Sequence, residues 1–510
     1  MGENRFYMPR MSSILPEITV SDTNNRRMIS RAVNQGKLRK LASRLYTSNH
    51  TDTPEAIVKR NLWHIIGELV PEVLIADRTA LELKPALDGS VFIVSDRKRD
   101  IDLPGIMVRT RRGHPPLPED KPFMDGLRLS SYARAYLENM RISRPREENV
   151  ARTLSRQEIE ERLDTILRKS GENVIMQIRD EARKLAPVLG LEKEFKQLDE
   201  LIGTLLGTRD ALLSSKTGIA RKMGVPYDPD RLQLFEILHR ALYVMPPIIR
   251  QAPVTTKLLA FYEAYFSNFI EGTEFAVSEA EEIVFGGKIP NDRPADAHDV
   301  LGTYKIVSNQ KEMAKIPKHF EDLVMLLKQR HAIIMAKRPE KLPGKFKVEG
   351  NRAGSTLFVN PELVEGTLKK GFELYKSFDT PFQRAVFMMF LVAEVHPFAD
   401  GNGRIARIMM NAELVAKEQQ CIIIPTVYRN NYLIALKAMS HNRHPEALIR
   451  TLDFAQRYTA KVDWSDRIVS QKILQATNAF IDPVDADLNG IRLILPDDLL
   501  LAGAKDSRSY

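Results

Sequence analysis

From Arg384 to Val395 the chain reads RAVFMMFLVAEV, apolar almost throughout, and this predicts a helix buried on most of its surface. Pro397 ends that helix and leaves His396 at its edge, and a second helix begins near Arg404. Farther along, Asn431–Ser440 and Pro445–Lys461 have the spacing of helices that brace the buried one from behind. Upstream, Ser155–Lys169 opens on a Ser-Arg-Gln-Glu capping box, and Ile175–Leu206 is helical with an interruption around Pro187–Leu191. Charges of both signs at helical spacing mark these two stretches as an exposed bridge. Ala56–Leu69 is a helix whose apolar stripe includes Trp63. Val91–Val94 and Ile106–Arg109 are short strands, set off by Leu103-Pro104-Gly105 and His114-Pro115-Pro116. Near the start, Ile29, Ala32 and Val33 fall on one helical face, with Asp22, Thr23 or Asn24 to cap it. Gly36 breaks that helix, and KLRKLASRLYTS alternates as a short hairpin. Thr356–Val359 is a β-type run between Gly354 and Pro361. The clearest linker is Arg144–Asn149. The expectation is a mostly α protein with four parts: a small α/β region at 1–145, a helical bridge at 146–228, a helical core with a hairpin at 229–460, and a tail at 461–510 with no function assigned.

Composition narrows the class. A chain of 510 residues has room for two or three domains with buried cores. The single cysteine, Cys421, rules out an intrachain disulfide framework; its apolar setting, CIIIP, reads as a buried inert thiol. The start has no signal-peptide layout and the longest apolar stretch is too short to span a membrane, so the reading is a soluble cytoplasmic protein. The net charge of +9 is uneven: residues 1–60 hold eleven Lys or Arg against five Asp or Glu. Arg26–Tyr46 contains Arg26, Arg27, Arg31, Lys37, Arg39, Lys40 and Arg44 and no acid. Helix, glycine and basic hairpin form the layout of a winged helix-turn-helix, whose cations contact duplex DNA through its phosphates; the alternative is a solvated basic face on a protein-binding module. Arg97-Lys98-Arg99 reads as a charged, solvated turn. There is no internal repeat, no zinc-spaced Cys/His set and no Walker-type loop.

The chemistry concentrates in the twelve residues from His396 to Arg407, HPFADGNGRIAR. Gly401 and Gly403 flank Asn402, so the backbone can turn with positive φ and aim its N–H groups into one concavity. The helix that follows directs its N-terminal N–H groups and dipole at the same point, which favours an anion. Arg404 and Arg407, three apart, add two cations from one side of that helix. A base, a metal-competent carboxylate at Asp400, an anion cradle and two arginines make a phosphate-handling site.

This string resembles the signature of Fic-domain proteins, HxFx(D/E)GNGRxxR, at every specified position. The resemblance implies adenylyl transfer: ATP bound with Mg²⁺, and AMP moved to a Tyr, Ser or Thr hydroxyl of a protein. His396 would be the general base and Asp400 the Mg²⁺ ligand. Asn402 with the Gly401 and Gly403 amides would hold the α-phosphate, and Arg404 and Arg407 the β- and γ-phosphates. Ser267–Gly272, SNFIEG, resembles the inhibitory motif (S/T)xxxE(G/N) of the family, which implies that Glu271, sharing a helix face with Ser267, pairs with Arg407 and fills the γ-phosphate pocket. Lys345–Leu368 resembles the family's flap, so Thr356, Leu357, Phe358 and Val359 would pair with an extended target segment. Near the end of Tyr432–His441, where family members often carry Asn at the adenosine, this chain has Ser440. SRAVNQGKLRKLASRLYTSN resembles the start of AbiEi-type antitoxins, although Ser43-Arg44-Leu45-Tyr46 lacks the glycine usual before the tyrosine of the wing. Three alternatives remain: a DNA-binding regulator with the Fic core as sensor, removal of AMP with Glu271 aligning a water, and transfer of another phosphate-containing group. Against the last, the loop glycines match the adenylylating pattern. A homo-oligomer is left open.

Overall fold

A computed structural model describes residues 15–96, 99–145, 150–252, 256–354 and 356–498. The turn expected at Arg97 and Lys98, the linker residues 146–149 and the tail beyond 498 lie outside them. The chain divides into two compact units, 1–222 and 223–510. The first holds 39 Lys or Arg against 31 Asp or Glu, so it carries +8 of the net +9.

The first unit begins with a small antiparallel sheet of β1 (Ile18–Val20), β2 (Arg39–Ala42) and β3 (Leu45–Thr47), in the order β1-β3-β2. Helix α1 (Arg26–Asn34) crosses before β2 and buries Ile29 and Ala32. The β2–β3 turn closes without its glycine because Arg44 itself takes a left-handed φ of 62°. Residues 56–69, expected as one helix, form two, α2 (Pro54–Arg60) and α3 (Leu62–Leu69). The break is at Asn61, whose side-chain amide donates to Ile57 O at 2.9 Å and to Glu17 Oε2 at 2.9 Å. Beyond them, β4 (Leu74–Ile75), α4 (Asp77–Glu82), β5 (Ser90–Val94), β6 (Ile101–Leu103), β7 (Ile106–Arg111), β8 (Lys121–Pro122) and β9 (Arg128–Leu129) build a mixed sheet in the order β6-β7-β5-β4-β9-β8. The expected strands are its parallel pair, β5 and β7. Helix α5 (Tyr132–Met140) then packs with α6 (Arg156–Ser170), α7 (Glu172–Leu189) and α8 (Glu192–Leu205) around Leu137, Leu163, Ile175 and Leu198. The Ser155–Glu158 capping box opens α6 as expected. The charged faces of α6–α8 thus back a shared apolar core with α5.

The second unit is almost entirely helical. Its longer elements are α9 (Pro229–Tyr243), α10 (Lys257–Ile270), α11 (Pro294–Val307), α12 (Phe320–Ile334), α13 (Val364–Tyr375), α14 (Pro381–Val395), α15 (Asn402–Val415), α16 (Arg429–Asn442) and α17 (Pro445–Lys461), joined by short helices at Val277–Val284 and Gln310–Met313 and by a two-residue-per-strand hairpin of β10 (Arg352–Ala353) and β11 (Thr356–Leu357). The apolar run predicted as a buried helix is α14: Phe387 through Val392 are all fully buried. It packs against α15, α9 and α13. Gly366 lets α13 touch the loop before α9, since a Cβ there would sit 2.2 Å from Pro226 O. Two helices of the tail, α18 (Arg467–Ala476) and α19 (Pro483–Asn489), cover Tyr262, Tyr458 and Trp464. Cys421 lies in the same core, where burial drives its thiol pKa well above the ordinary value. Among the described residues, no helix is long and apolar enough to cross a membrane.

Candidate functional site

Helix α14 ends at His396, which adopts a left-handed conformation (φ 53°, ψ 58°) with its N–H on Val392 O at 3.0 Å. Pro397 prevents another turn. The imidazole Nδ1 lies 3.1 Å from Ala393 O; a carbonyl can only accept, so Nδ1 carries the proton and Nε2 keeps its lone pair. Burial pushes the His396 pKa down to about 4; nearby Lys347 acts in the same direction, against the Ala393 carbonyl and the Glu271 and Asp400 carboxylates. His396 is therefore neutral near pH 7.

The turn that follows is built from within. Phe398 N–H donates to Asn402 Oδ1 at 2.8 Å, and Asn402 Nδ2 donates back to Phe398 O at 2.8 Å. Asn402, expected at the α-phosphate, closes the loop with its Oδ1 and one N–H of its Nδ2. Gly401 has φ 75°, and a Cβ on it would lie 3.0 Å from Met335 Sδ. Beneath the turn, His331 stacks on Phe398 (centroids 3.8 Å, 5° between planes). Gly344 N–H donates to its Nδ1 at 2.9 Å and its Nε2 lies 3.1 Å from Asp400 O, an arrangement that calls for neutral imidazole; burial lowers its pKa to about 4. Asp400 Oδ1 accepts Gly401 N–H at 2.6 Å, and the side chain is 42% exposed at the mouth of the turn. Helix α15 starts here with its N–H groups facing the concavity.

The two arginines diverge. Arg404 Nη1 pairs with buried Asp299 Oδ2 on α11 at 2.7 Å and lies 3.4 Å from Asn268 Oδ1. The same carboxylate oxygen accepts Arg338 Nε at 2.9 Å. Arg404 is thus a braced cation of the inner wall, and neither Asp299 nor Arg338 carries a motif signal in the sequence. Arg407 points to α10: its Nε donates to Ser267 Oγ at 3.0 Å, and its Nη2 donates to Ser267 O at 2.8 Å and to Glu271 Oε1 at 2.7 Å. The expected Ser267, Glu271 and Arg407 thereby meet. One turn deeper, Asn411 Nδ2 donates to Glu263 Oε1 at 2.8 Å, and burial raises the Glu263 pKa to about 7. Glu263, Ser267 and Glu271 on α10 therefore face Asn411, Arg407 and Gly403 on α15 at four-residue steps. At Gly403 a Cβ would stand 2.1 Å from Glu271 Oε1, so only glycine leaves that carboxylate its place.

The hairpin lies over His396. Of the four expected flap residues only Thr356 and Leu357 are in the strand. Phe358 leaves it to stack flat on the His396 ring (centroids 3.7 Å, 6°), and Val359 is buried in the helical core. Two hydrogen bonds to backbone carbonyls fix the segment: Lys347 N–H donates to Pro397 O at 2.9 Å, and the Asn351 side-chain Nδ2 to Phe398 O at 2.9 Å. Thr356 Oγ1 is 2.7 Å from His441 Nε2. Arg231 of α9 donates both to Glu394 and to Leu357 O, and Ser440 Oγ donates to Glu394 Oε2 at 2.6 Å. Sequence reasoning passed over Arg231 and Glu394, although an acid two residues before His396 in an otherwise apolar run was a usable signal.

The seven basic residues of the N-terminal region belong to the first unit. Arg26, Arg27, Arg31, Lys37, Lys40 and Arg44 are exposed and Arg39 is half-buried. Two serve the fold: Arg39 donates to Asn49 O at 2.7 Å and to Asp52 O, and Arg44 Nε donates to Ser21 O at 2.9 Å.

A helix ending in histidine, a glycine-containing turn and a second helix bearing two arginines thus follow one another as the central element of this helical unit. Residues 324–414, within the second unit, match the Fic/DOC family. The chain is 22% identical over 244 residues to the protein adenylyltransferase fic-1 of Caenorhabditis elegans, covering 45% of this chain and 46% of that protein. A Fido domain-containing protein of Dictyostelium discoideum is 33% identical over 76 residues, 14% of this chain and 53% of that one. The chain spans about half the length of these curated relatives. Among solved structures, residues 134–508 of C. elegans Fic-1 align at TM-score 0.34 and 19% identity, over 58% of this chain and 93% of that one.

Proposed function

We propose that the second unit transfers AMP from ATP to a Tyr, Ser or Thr hydroxyl of a protein and that Glu271 restrains the reaction. The observation that carries this reading is the convergence of His396 Nε2, Asp400 and the α15 N-terminus at one turn, opposite a Glu271–Arg407 pair. In the reaction, the acceptor oxygen attacks the α-phosphorus while Nε2 takes its proton. The bond from the α-phosphorus to the bridging oxygen breaks, and pyrophosphate leaves. The α15 N–H groups, with their dipole, receive the α-phosphate. Arg407, once released by Glu271, receives the outer phosphates, while Arg404 acts from its place on Asp299. Asp400 suits Mg²⁺, which needs only one or two carboxylates when phosphates and waters complete its shell; the ion would neutralise phosphate charge.

The test is incubation of the Glu271→Gly protein with labelled ATP and cell lysate. Label on protein that disappears when His396→Ala is added supports the reading. ATP binding without any transfer refutes it. Offering a preformed AMP-protein to the unaltered chain separates transfer from AMP removal. For the first unit we propose duplex-DNA binding, supported by the exposed cations Arg26, Arg27, Arg31, Lys37 and Lys40 around α1 and its hairpin.

A further inference from the structure

We infer that Arg231 is a positioning residue for the acceptor: it sets the outer edge of β11 at a defined distance from His396 by bridging Leu357 O to Glu394. The inference rests on the transfer reaction proposed above.

The hydrogen-bond pattern of the hairpin says which edge is involved. Ala353 faces Thr356 and Arg352 faces Leu357, while Phe358 N–H donates to Asn351 O at 3.2 Å. Arg352 and Leu357 are therefore the non-hydrogen-bonded pair, and the N–H and C=O of Leu357 point away from β10. That outward edge is where an extended acceptor segment would add as a further strand. Leu357 itself is 70% exposed. Phe358, the next residue, lies on the His396 ring, so a strand paired at Leu357 runs beside the base.

Arg231 holds this edge at its outward carbonyl. One arm of its guanidinium donates to Leu357 O and the other to Glu394, whose side chain is only 4% exposed. Glu394 is on α14 two residues before His396, and its second oxygen accepts from Ser440 Oγ on α16. A carbonyl oxygen has two acceptor sites, so Arg231 can keep its hold while a strand docks. The planar fork makes both contacts at once, which an ammonium on a single stem does not. The result ties the docking edge to the last turn of the helix that aims the base. Ser440, expected near the adenosine, acts here as a support of Glu394.

The experiment uses the full chain in the Glu271→Gly background, with Arg231→Ala and Arg231→Lys added separately. Four quantities are read: thermal unfolding, affinity for a fluorescent ATP analogue, hydrolysis of ATP to AMP in the absence of lysate, and label transferred to lysate proteins. Water needs no strand edge, whereas a protein acceptor does. The expected result is unchanged ATP affinity and AMP release in both variants, with protein labelling down about 10- to 100-fold, the cost of misplacing a reacting group by about an ångström. Glu394→Gln is expected to lower labelling less, since its amide oxygen still accepts from Arg231. Labelling that stays at the parent level in Arg231→Ala overturns the inference. So does loss of ATP binding or AMP release in step with labelling in both Arg231 variants, because that marks a general brace of the fold. A Glu271→Gly parent that labels nothing would instead remove the proposed transfer itself.

Discussion

Removing the Glu271 carboxylate should raise ATP affinity and lower the stability of the free protein together. Its Oε1 lies 2.7 Å from Arg407 Nη2, and the Glu271 and Arg407 side chains are 28% and 6% exposed. A hydrogen bond to a charged group contributes about 1.5–3 kcal/mol, and ATP must displace it to reach the same guanidinium. Each 1.4 kcal/mol is tenfold, so Glu271→Gly should tighten ATP binding about 10- to 100-fold. Arg407 keeps Ser267 Oγ and Ser267 O but loses its counter-charge, so the melting temperature without ligand should drop. Saturating ATP should more than restore it, because a ligand that binds the folded state stabilises by RT ln(1 + [L]/Kd). Calorimetric titration and thermal melts at graded ATP concentrations measure both. Glu271→Gln, which retains an acceptor without the charge, should fall between. Arg407→Ala should bind ATP weakly, and Glu271→Gly/Arg407→Ala should match it, the non-additivity of two groups acting on one pocket. Equal ATP affinity and equal ATP-induced melting shift in the unaltered and Glu271→Gly proteins would refute the pairing argument.

His396→Ala in the Glu271→Gly background should lower transfer by about 10²- to 10⁴-fold with ATP affinity unchanged; a matching loss of binding would contradict the base role. Since burial holds the His396 pKa near 4, the transfer rate should be flat from about pH 8 down to about pH 5 and fall below that, and an inflection near 6.5 would oppose it. His331 and His396 both titrate lower in the folded chain than their ordinary 6.5. The unfolded chain therefore binds more protons between those values, so the second unit should lose stability as pH falls from 6.5 towards 4, measurable by urea unfolding. Replacing Lys37 and Lys40 should flatten the salt dependence of duplex-DNA binding, whereas Arg39→Ala should first lower the melting temperature of the first unit, as its guanidinium holds the Asn49 and Asp52 carbonyls; no binding to any duplex at low salt would remove the DNA reading. Gly366→Ala should destabilise the second unit by about 1–3 kcal/mol through its clash with Pro226 O, and wild-type unfolding would show that the loop yields freely.

Much of the second unit was readable because its signals are local. An unbroken apolar run makes α14, proline and glycines end it, and four-residue spacing puts Ser267 and Glu271 on one face. What escaped were contacts over long sequence distances that follow no period: Arg404 with Asp299, Arg231 with Leu357, Phe358 with His396. The loop-closing contacts of Asn402 and the Glu394 contact of Ser440 escaped for the same reason, since an amide or hydroxyl can serve the backbone or a buried carboxylate as readily as a nucleotide. In the first unit the helix-and-hairpin order was legible, yet the split at Asn61 was not, because Glu17, on the far side of the sequence, holds the amide that makes it.

The ladder between α10 and α15 also limits how the restraint on Arg407 can be lifted. Sliding α10 by one residue would tear the buried Glu263 carboxyl from Asn411 inside the core, a loss of about 1–3 kcal/mol before anything is gained. Glu271, by contrast, is the residue that caps the helix, and Gly272 after it already has a left-handed φ of 87°. Unwinding the last turn moves Glu271 while Ser267 and Glu263 stay seated. On the proposed reading, the Glu271–Arg407 pair opens by peeling from the C-terminal end of α10, and an effector need only hold the segment just beyond residue 272 to keep it open.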